Sequence, residues 1–353
     1  MAKRYYEYKI TVEFSKSNQS CKVGAIKSNY LSGKANEDEF IFYSKSFVLL
    51  ASRSTIYDDN TILLNNNNSV NNQLFKGLLF YYSLVKSFPK IKKISIIRKR
   101  TKLADYTYTI DYSKIIQPII VNNINNPFSF DKNVIKELFN ESDRGNAYRV
   151  ALSYWLKGIA SSERYYKFER FWRAFNCLYA YEAQGKTDFE AMRNMRTYIV
   201  NKSNLFSKTI EIIKSYEDED LRKFRWRHLI LNDYPNQNKM EAYKEFVKRY
   251  SDSRIMKLFK DIIVYREDML KNAGFYDDVL SHIKKNEHVK KDIELVTILS
   301  IKYAYFVRNK MFHGEMPDAT FKIYDNYIDE EIDMLNEILA TLIFEIINTN
   351  GLC

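Results

Sequence analysis

The sequence predicts an α+β protein, in which a small mixed α/β N-terminal domain precedes an all-helical bundle. Three observations lead to this prediction. Glycine (9) and proline (5) are scarce in 353 residues, so the many tight turns of a sandwich or barrel are not expected. Strand-like stretches occur in the first hundred residues, whereas apolar residues recur at helical spacing after residue 128. A hydrophobic content of 46% is enough for a large ordered core.

The N-terminal elements follow from two different periodicities. Tyr6–Phe14 alternates polar and apolar residues in the manner of a half-buried strand, and Phe40–Leu50 and Lys92–Ile97 are rich in strand-forming residues. Between them, Gln73–Phe88 repeats apolar residues at helical spacing until Pro89 stops the pattern. We therefore predict one helix packed on a small sheet.

The segment Val121–Pro127 is the predicted domain boundary, because it holds four asparagines and a proline and shows no periodicity. Residues 1–127 then form the basic mixed domain and residues 128–353 the helical domain. The helices predicted in the second domain share apolar residues at three and four spacing: Asp131–Phe139, Asn146–Ile159, Glu163–Glu182, Asp188–Val200, Leu205–Tyr216, Glu219–Leu231, Met240–Tyr250, Ile255–Ala273, Val289–Phe312 and Asp329–Asn348.

Composition also narrows the class of protein. The three cysteines are too few and too widely spaced for a disulfide framework or a paired-cysteine zinc site, which favours a reducing compartment. His282 and His288 lack companions at metal-ligand spacing, so we expect no metal and no cofactor. The start of the chain lacks the apolar run of a signal peptide, and no stretch approaches the roughly 18 apolar residues of a membrane span. A soluble cytoplasmic protein is expected.

The net charge of +11 is concentrated at the front of the chain. Residues 1–130 hold 19 Lys and Arg against 9 Asp and Glu, and the remainder holds 36 against 35. Such an excess indicates a polyanion partner or serves solubility. The densest part, Lys86–Lys102, contains no acid, and from it we predict RNA-binding residues, namely Lys92, Lys93, Arg98, Lys99 and Arg100. The alternative is an exposed edge strand protected by lysines.

The candidate active site lies at the end of the predicted helix Val289–Phe312, which is apolar on nearly every side and should be central. Its last turn contains Arg308 and His313, and Gly314 is placed to cap it. Cleaving RNA without metal needs proton transfer, which histidine provides, and positive charge at the phosphorus, which arginine provides. Residues five apart are rotated by about 140° on a helix, so spacing alone is weak support. The alternative is structural: His313 faces the helix dipole and Arg308 pairs with Glu315.

The string Arg308-Asn309-x-x-x-His313 resembles the Arg-x(4–6)-His motif of HEPN domains. The aromatic helix around Phe168, Phe171, Trp172, Leu178 and Tyr179 is similar to an early helix of ApeA-like HEPN proteins. The resemblance covers about residues 145–350. It implies a helical bundle that dimerises through the motif helices and cuts RNA without metal by 2′-hydroxyl attack, in antiviral abortive infection or in a toxin module.

Carried over to this chain, the resemblance makes Arg308 and His313 catalytic and gives Asn309 the task of orienting them or contacting RNA. The neighbouring Lys310 joins the predicted RNA-binding residues. RNA, a second copy of the chain, and an antitoxin or a phage-derived trigger are the partners that it implies. Two alternatives stay open: a non-catalytic helical interaction or RNA-binding module, and an N-terminal domain that senses a phage or host component and releases the nuclease.

Overall fold

The computed structural model describes residues 6–15, 23–31, 37–100, 104–117, 119, 126–182, 184, 187–315 and 327–349. It confirms the α+β class, because an antiparallel six-stranded sheet precedes a helical region. The strands are β1 (Tyr6–Phe14), β2 (Val23–Asn29), β3 (Glu37–Phe42), β4 (Ser46–Arg53), β5 (Ile91–Lys99) and β6 (Tyr106–Asp111). Their order across the sheet is β2-β3-β4-β1-β5-β6.

Strand β1 has the predicted bounds, and the β-rich stretch Phe40–Leu50 is confirmed as part of strands β3 and β4. It is a hairpin, in which Phe42 pairs with Phe47 and the chain reverses between them. The β-rich stretch thus belongs to two neighbouring strands of the same sheet. Strands β2 and β6 were not predicted. β2 has only Ala25 and Ile26 as apolar residues near its centre, whereas β6 alternates tyrosine with threonine, a strand signal that was missed.

One face of the sheet is covered by α2 (Ser69–Leu84), against which α1 (Asp59–Leu64) packs. Helix α2 begins four residues earlier than predicted, because the Asn68 side chain accepts hydrogen bonds from the backbone N–H groups of Val70 and Asn71. Gly77 allows close packing here, since a Cβ at this position would lie 2.7 Å from the Phe47 ring. The predicted helix on a small sheet is therefore present.

The helices that follow are α3 (Lys132–Ile135), α4 (Asp143–Ile159), α5 (Arg164–Glu182), α6 (Asp188–Asn201), α7 (Ser207–Lys214), α8 (Asp218–Arg222), α9 (Trp226–Asp233), α10 (Met240–Lys248), α11 (Ser253–Ile262), α12 (Glu267–Asn272), α13 (Tyr276–Lys285), α14 (Asp292–Thr297), α15 (Ala304–Phe312) and α16 (Tyr327–Asn348). The helices predicted at Glu219–Leu231 and Ile255–Ala273 are interrupted, the second by a 3-10 turn at Ile263–Arg266. Among the described helices, none has both the length and the apolar composition needed to cross a bilayer.

The chain divides into two compact units. The first comprises Met1–Ser162, Arg173–Tyr181 and Ile347–Cys353, and the second comprises Glu163–Trp172 and Glu182–Ile346. Residues that follow the predicted boundary thus belong with the sheet, as the 4.9 Å between the ring centres of Phe40 and Phe139 illustrates. The boundary segment itself lies mostly outside the described residues, and a separate domain at residues 1–127 stays a prediction.

The second unit is built around one long helix, which we call the motif helix (residues 292–312). It consists of α14, a π-helical segment Ile298–Tyr303 and α15. Its buried side chains face nearly every direction: Leu295, Val296, Ile298, Leu299, Ile301, Tyr303, Ala304, Phe306 and Val307. The predicted central position is confirmed. The helix starts three residues later than predicted. π-Helical turns are rare in proteins, and those that occur are often found at functional sites.

Candidate active site

The first turn of the motif helix is fixed by a buried ion cluster. The fully buried Asp252 carboxylate accepts hydrogen bonds from the Arg254 guanidinium at 3.1 Å and from the backbone N–H of Lys291 at 2.6 Å. Arg254 also donates to Asp292, the first residue of the motif helix, at 2.7 Å. Burial alone would raise the pKa of Asp252, but these hydrogen bonds outweigh it and the pKa is lowered. The cluster therefore holds this end as an ionised network.

The middle of the motif helix is held by Tyr303, whose hydroxyl donates to the buried Glu331 carboxylate at 2.6 Å. Glu331 also accepts from the Arg225 guanidinium at 2.9 Å. Burial, and then the neighbouring carboxylate, raise the pKa of Tyr303, so the phenol stays a donor. Two residues further on, the Tyr305 ring centre lies 6.0 Å from that of Trp172, so the aromatic helix α5 contacts the motif helix here.

The last turn ends in a Schellman cap, as the position of Gly314 predicted. The N–H of Glu315 donates to the carbonyl of Lys310 at 3.0 Å, and the N–H of Gly314 donates to that of Met311 at 3.3 Å. Gly314 adopts the left-handed conformation with φ of +69°. The cap residue is His313, whose N–H donates to the Asn309 carbonyl at 3.0 Å. Backbone hydrogen bonds thus fix the Cα of the predicted catalytic histidine.

The side chains of this turn are half-buried or exposed. His313 is exposed and Arg308 is half-buried. The Arg308 guanidinium donates to the Asn309 side-chain carbonyl at 2.8 Å and lies 4.8 Å from the ring centre of Phe312, which is 45% exposed. No hydrogen bond joins Arg308 to His313 within the described part of the chain. The turn therefore presents one cation and one imidazole, with Asn309 orienting the cation.

The structural alternative for this turn paired Arg308 with Glu315. In the structure, Glu315 accepts from Lys310 instead, and Arg308 turns to Asn309. Lys310, a predicted RNA-binding residue, is thus engaged in an ion pair beside the two predicted catalytic residues.

The predicted basic segment forms strand β5, which pairs with β1 on one side and β6 on the other. It is an interior strand, so the edge-strand alternative is wrong. Its lysines also face acids that the local sequence does not show: Lys99 is opposite Glu7, and Lys93 is opposite Glu13 on β1 and Asp111 on β6. Opposite charges at these positions attract each other across the strands.

The arginines of this segment bind aromatic and backbone groups. Arg98 donates to the Tyr57 carbonyl at 3.1 Å and lies 4.6 Å from the Tyr106 ring centre, while Arg100 donates to the Tyr6 hydroxyl at 2.7 Å. Lys92 is exposed. The five predicted RNA-binding residues therefore lie on or next to one strand, but their side chains have different partners.

The remaining residues are His282, which was considered as a metal ligand, and the supporting residues of the motif helix. His282 lies with Nε2 2.7 Å from the Tyr250 carbonyl oxygen, a structural contact, and no group of three metal-ligating side chains occurs among the described residues. The supporting residues Arg225 and Glu331 were not predicted. Glu331 is far from the motif in sequence, and the local pattern suggested only an acidic helix start.

Comparison with protein-family models, with curated proteins and with solved structures finds no match for this chain.

Proposed function

We propose that this protein is a metal-independent endoribonuclease of the HEPN type, with Arg308 and His313 as its catalytic residues. One observation carries the proposal. A central helix, held by buried contacts at its start and middle, ends in a capped turn that presents an arginine and an imidazole to solvent. Precise placement of a few polar groups by a rigid scaffold is what catalysis requires.

The roles follow from the chemistry of RNA cleavage. As general base, His313 takes the proton of a 2′-hydroxyl, whose oxygen attacks the adjacent phosphorus. The bond from phosphorus to the 5′-oxygen breaks, an acid protonates that oxygen, and the products are a 2′,3′-cyclic phosphate and a 5′-hydroxyl. Arg308 stabilises the charge of the phosphorane, and Asn309 holds its guanidinium.

A single histidine cannot act as base and acid in the same step. We therefore propose a homodimer in which the second motif helix supplies the other imidazole, since a twofold contact gives each copy the same surroundings. A cytoplasmic location, a role in antiviral defence or as a toxin, and control by an antitoxin or a phage-derived trigger are proposed on the resemblance to HEPN domains.

The test is cleavage of structured and single-stranded RNA with and without EDTA. Cleavage that survives EDTA and leaves 2′,3′-cyclic phosphate ends supports the proposal, and Arg308→Ala and His313→Ala should each abolish it. Arg227→Ala is a matched control, because Arg227 is exposed and its guanidinium lies 4.7 Å from the Tyr265 ring, much as Arg308 lies over Phe312. His288→Ala controls for loss of an exposed imidazole. If both motif variants cut RNA at the wild-type rate, the site is assigned wrongly.

The second candidate function is RNA binding without cleavage, which the basic excess of residues 1–130 favours. It predicts affinity that falls steeply with salt and persists in His313→Ala. Replacing Lys92, Lys93, Lys99 and Arg100 by glutamate should then weaken binding and flatten its salt dependence, because fewer counterions are released. An unchanged slope removes the segment from the RNA-binding surface.

A further inference from the structure

The two edges of the N-terminal sheet differ in how they are protected. Strand β2 has an irregular register between Val23 and Ala25, and it carries Lys27, which pairs with Glu37 at 2.9 Å. Strand β6 pairs regularly with β5 over its whole length and has one charge, Asp111, at its end. Within the described residues, β5 is its only strand partner. Bulges and lysines are the usual means of blocking edge pairing, and β6 has neither.

The side chains of β6 divide between the two faces of the sheet. Tyr108 and Ile110 pair with Ile96 and Ile94 and share their helix-covered face. Thr107 and Thr109 lie on the opposite face and are exposed. Tyrosine, threonine and isoleucine are among the best strand formers, so this edge is a regular template for a further strand.

An apolar cleft adjoins this edge on the helix-covered face. It encloses about 310 Å³ and is lined by Ile94 and Ile110 from the sheet and by Leu64, Phe75 and Ile116 around it. These last three side chains are 75%, 43% and 94% exposed. Exposed large apolar side chains grouped in this way mark an interaction surface. The unprotected edge and the apolar rim therefore lie next to each other.

We propose that β6 is an interface with a second copy of this chain, in which two β6 strands pair antiparallel about a twofold axis through Thr109. Thr109 then faces its own copy, Tyr108 faces Ile110, and Thr107 faces Asp111. Aromatic with β-branched and threonine with threonine are favourable cross-strand pairs. The axis keeps the helix-covered faces on one side, so the apolar rims of the two copies meet beside the joined strands.

A second copy fits better than an unrelated strand because the pattern is self-complementary. The register centred on Thr109 also avoids opposing acids, whereas a register centred on Tyr108 would set Asp105 opposite Asp111. This interface is independent of the proposed nuclease dimer, which uses the motif helix, and it would exist even if the chain cut no RNA.

The experiment is sedimentation equilibrium of the full chain at micromolar concentration, comparing wild type with Thr109→Lys and Thr107→Lys. Both threonines are exposed, on the same strand and the same face, and both variants add one positive charge. Thr109→Lys sets lysine opposite lysine and should weaken self-association at least about tenfold. Thr107→Lys sets lysine opposite Asp111 and should leave it equal or stronger. Ala25→Lys, exposed on the other edge, should behave as wild type.

Cysteine trapping keeps the test valid if a lysine variant folds poorly. Under mild oxidation, Thr109→Cys should form a crosslinked dimer, since a twofold axis brings the two Cβ atoms within disulfide range, while Thr107→Cys should crosslink no more than wild type. Loss of the nuclease dimer in a motif-helix variant should leave this crosslink intact. Equal masses for wild type and both lysine variants, with no crosslink above wild type, would overturn the interface.

Discussion

Charged side chains at the two ends of the motif helix have opposite surroundings. At the start, the charges of Asp252, Arg254 and Asp292 are buried or half-buried and bind one another. At the end, Arg308 and His313 reach solvent, and Arg308 has a neutral amide as its hydrogen-bond partner. The charged groups at the first end bind one another and position the helix. Those at the second end remain available for a ligand. The partners of a charged group, more than its presence, therefore indicate whether the group stabilises the fold or is available for a ligand.

The largest expected effect is at the start of the motif helix. Arg254→Ala should lower the free energy of unfolding by about 3–5 kcal/mol, because it leaves the Asp252 carboxylate buried without its guanidinium partner. Urea denaturation measures this loss. The exposed Arg227→Ala should change the free energy by less than about 0.5 kcal/mol. A loss below about 1 kcal/mol for Arg254→Ala would mean that this end is not held by the ion cluster.

The end of the helix should respond in the opposite way. Arg308→Ala and His313→Ala should keep the free energy of unfolding within about 0.5 kcal/mol of wild type, because neither side chain is buried. RNA cleavage should fall by at least about 100-fold in each, the usual contribution of a proton-transfer group or of a charge-stabilising donor. If either variant unfolded as easily as Arg254→Ala, the proposed division between the two ends would be wrong.

The pH dependence of stability provides a third test. The pKa of Asp252 in the folded protein is below its ordinary value of 3.8. Its ionisation therefore contributes stability above pH 3.8, and this contribution is lost as the pH falls through the lowered pKa. Wild type should lose stability more steeply than Asp252→Asn below pH 3.8, as measured by denaturation at a series of pH values. If the free energy of unfolding fell equally with pH in the two proteins, the ion cluster would not be the source of this pH dependence.

Sequence alone predicted the parts of this fold that repeat locally. The central helix and strand β1 were found because burial on one or all sides imposes a period on neighbouring residues. The stretch 40–50 was predicted to be β-rich, but the turn inside it was not located, because apolar residues lie on both sides of it. The acids opposite Lys93 and Lys99 come from other strands, so no local charge count could show them. The motif could be located because it is a local string. Its support by Glu331 could not be predicted, because Glu331 lies on another helix.

The smallest expected effect on RNA cleavage concerns the cap that places His313, and the chain offers a matched control for it. Gly314 and Gly274 both have positive φ, at +69° and +71°, both close a Schellman cap, and a Cβ at either would meet nothing within 4 Å. Alanine at either position should therefore cost about 1 kcal/mol, entirely through backbone strain. Only Gly314 follows the proposed catalytic histidine.

Strain at Gly314→Ala would be relieved by a shift of the preceding cap residue, and a misplacement of about 1 Å can cost about 100-fold in rate. We expect RNA cleavage to fall about tenfold in Gly314→Ala and to stay at the wild-type rate in Gly274→Ala, although the two lose equal stability. Asparagine tolerates the left-handed conformation better than alanine, so Gly314→Asn should recover part of both losses. Thermal unfolding and cleavage rates measured on the same preparations check this. Equal cleavage by the two alanine variants would show that the geometry of His313 does not limit the reaction.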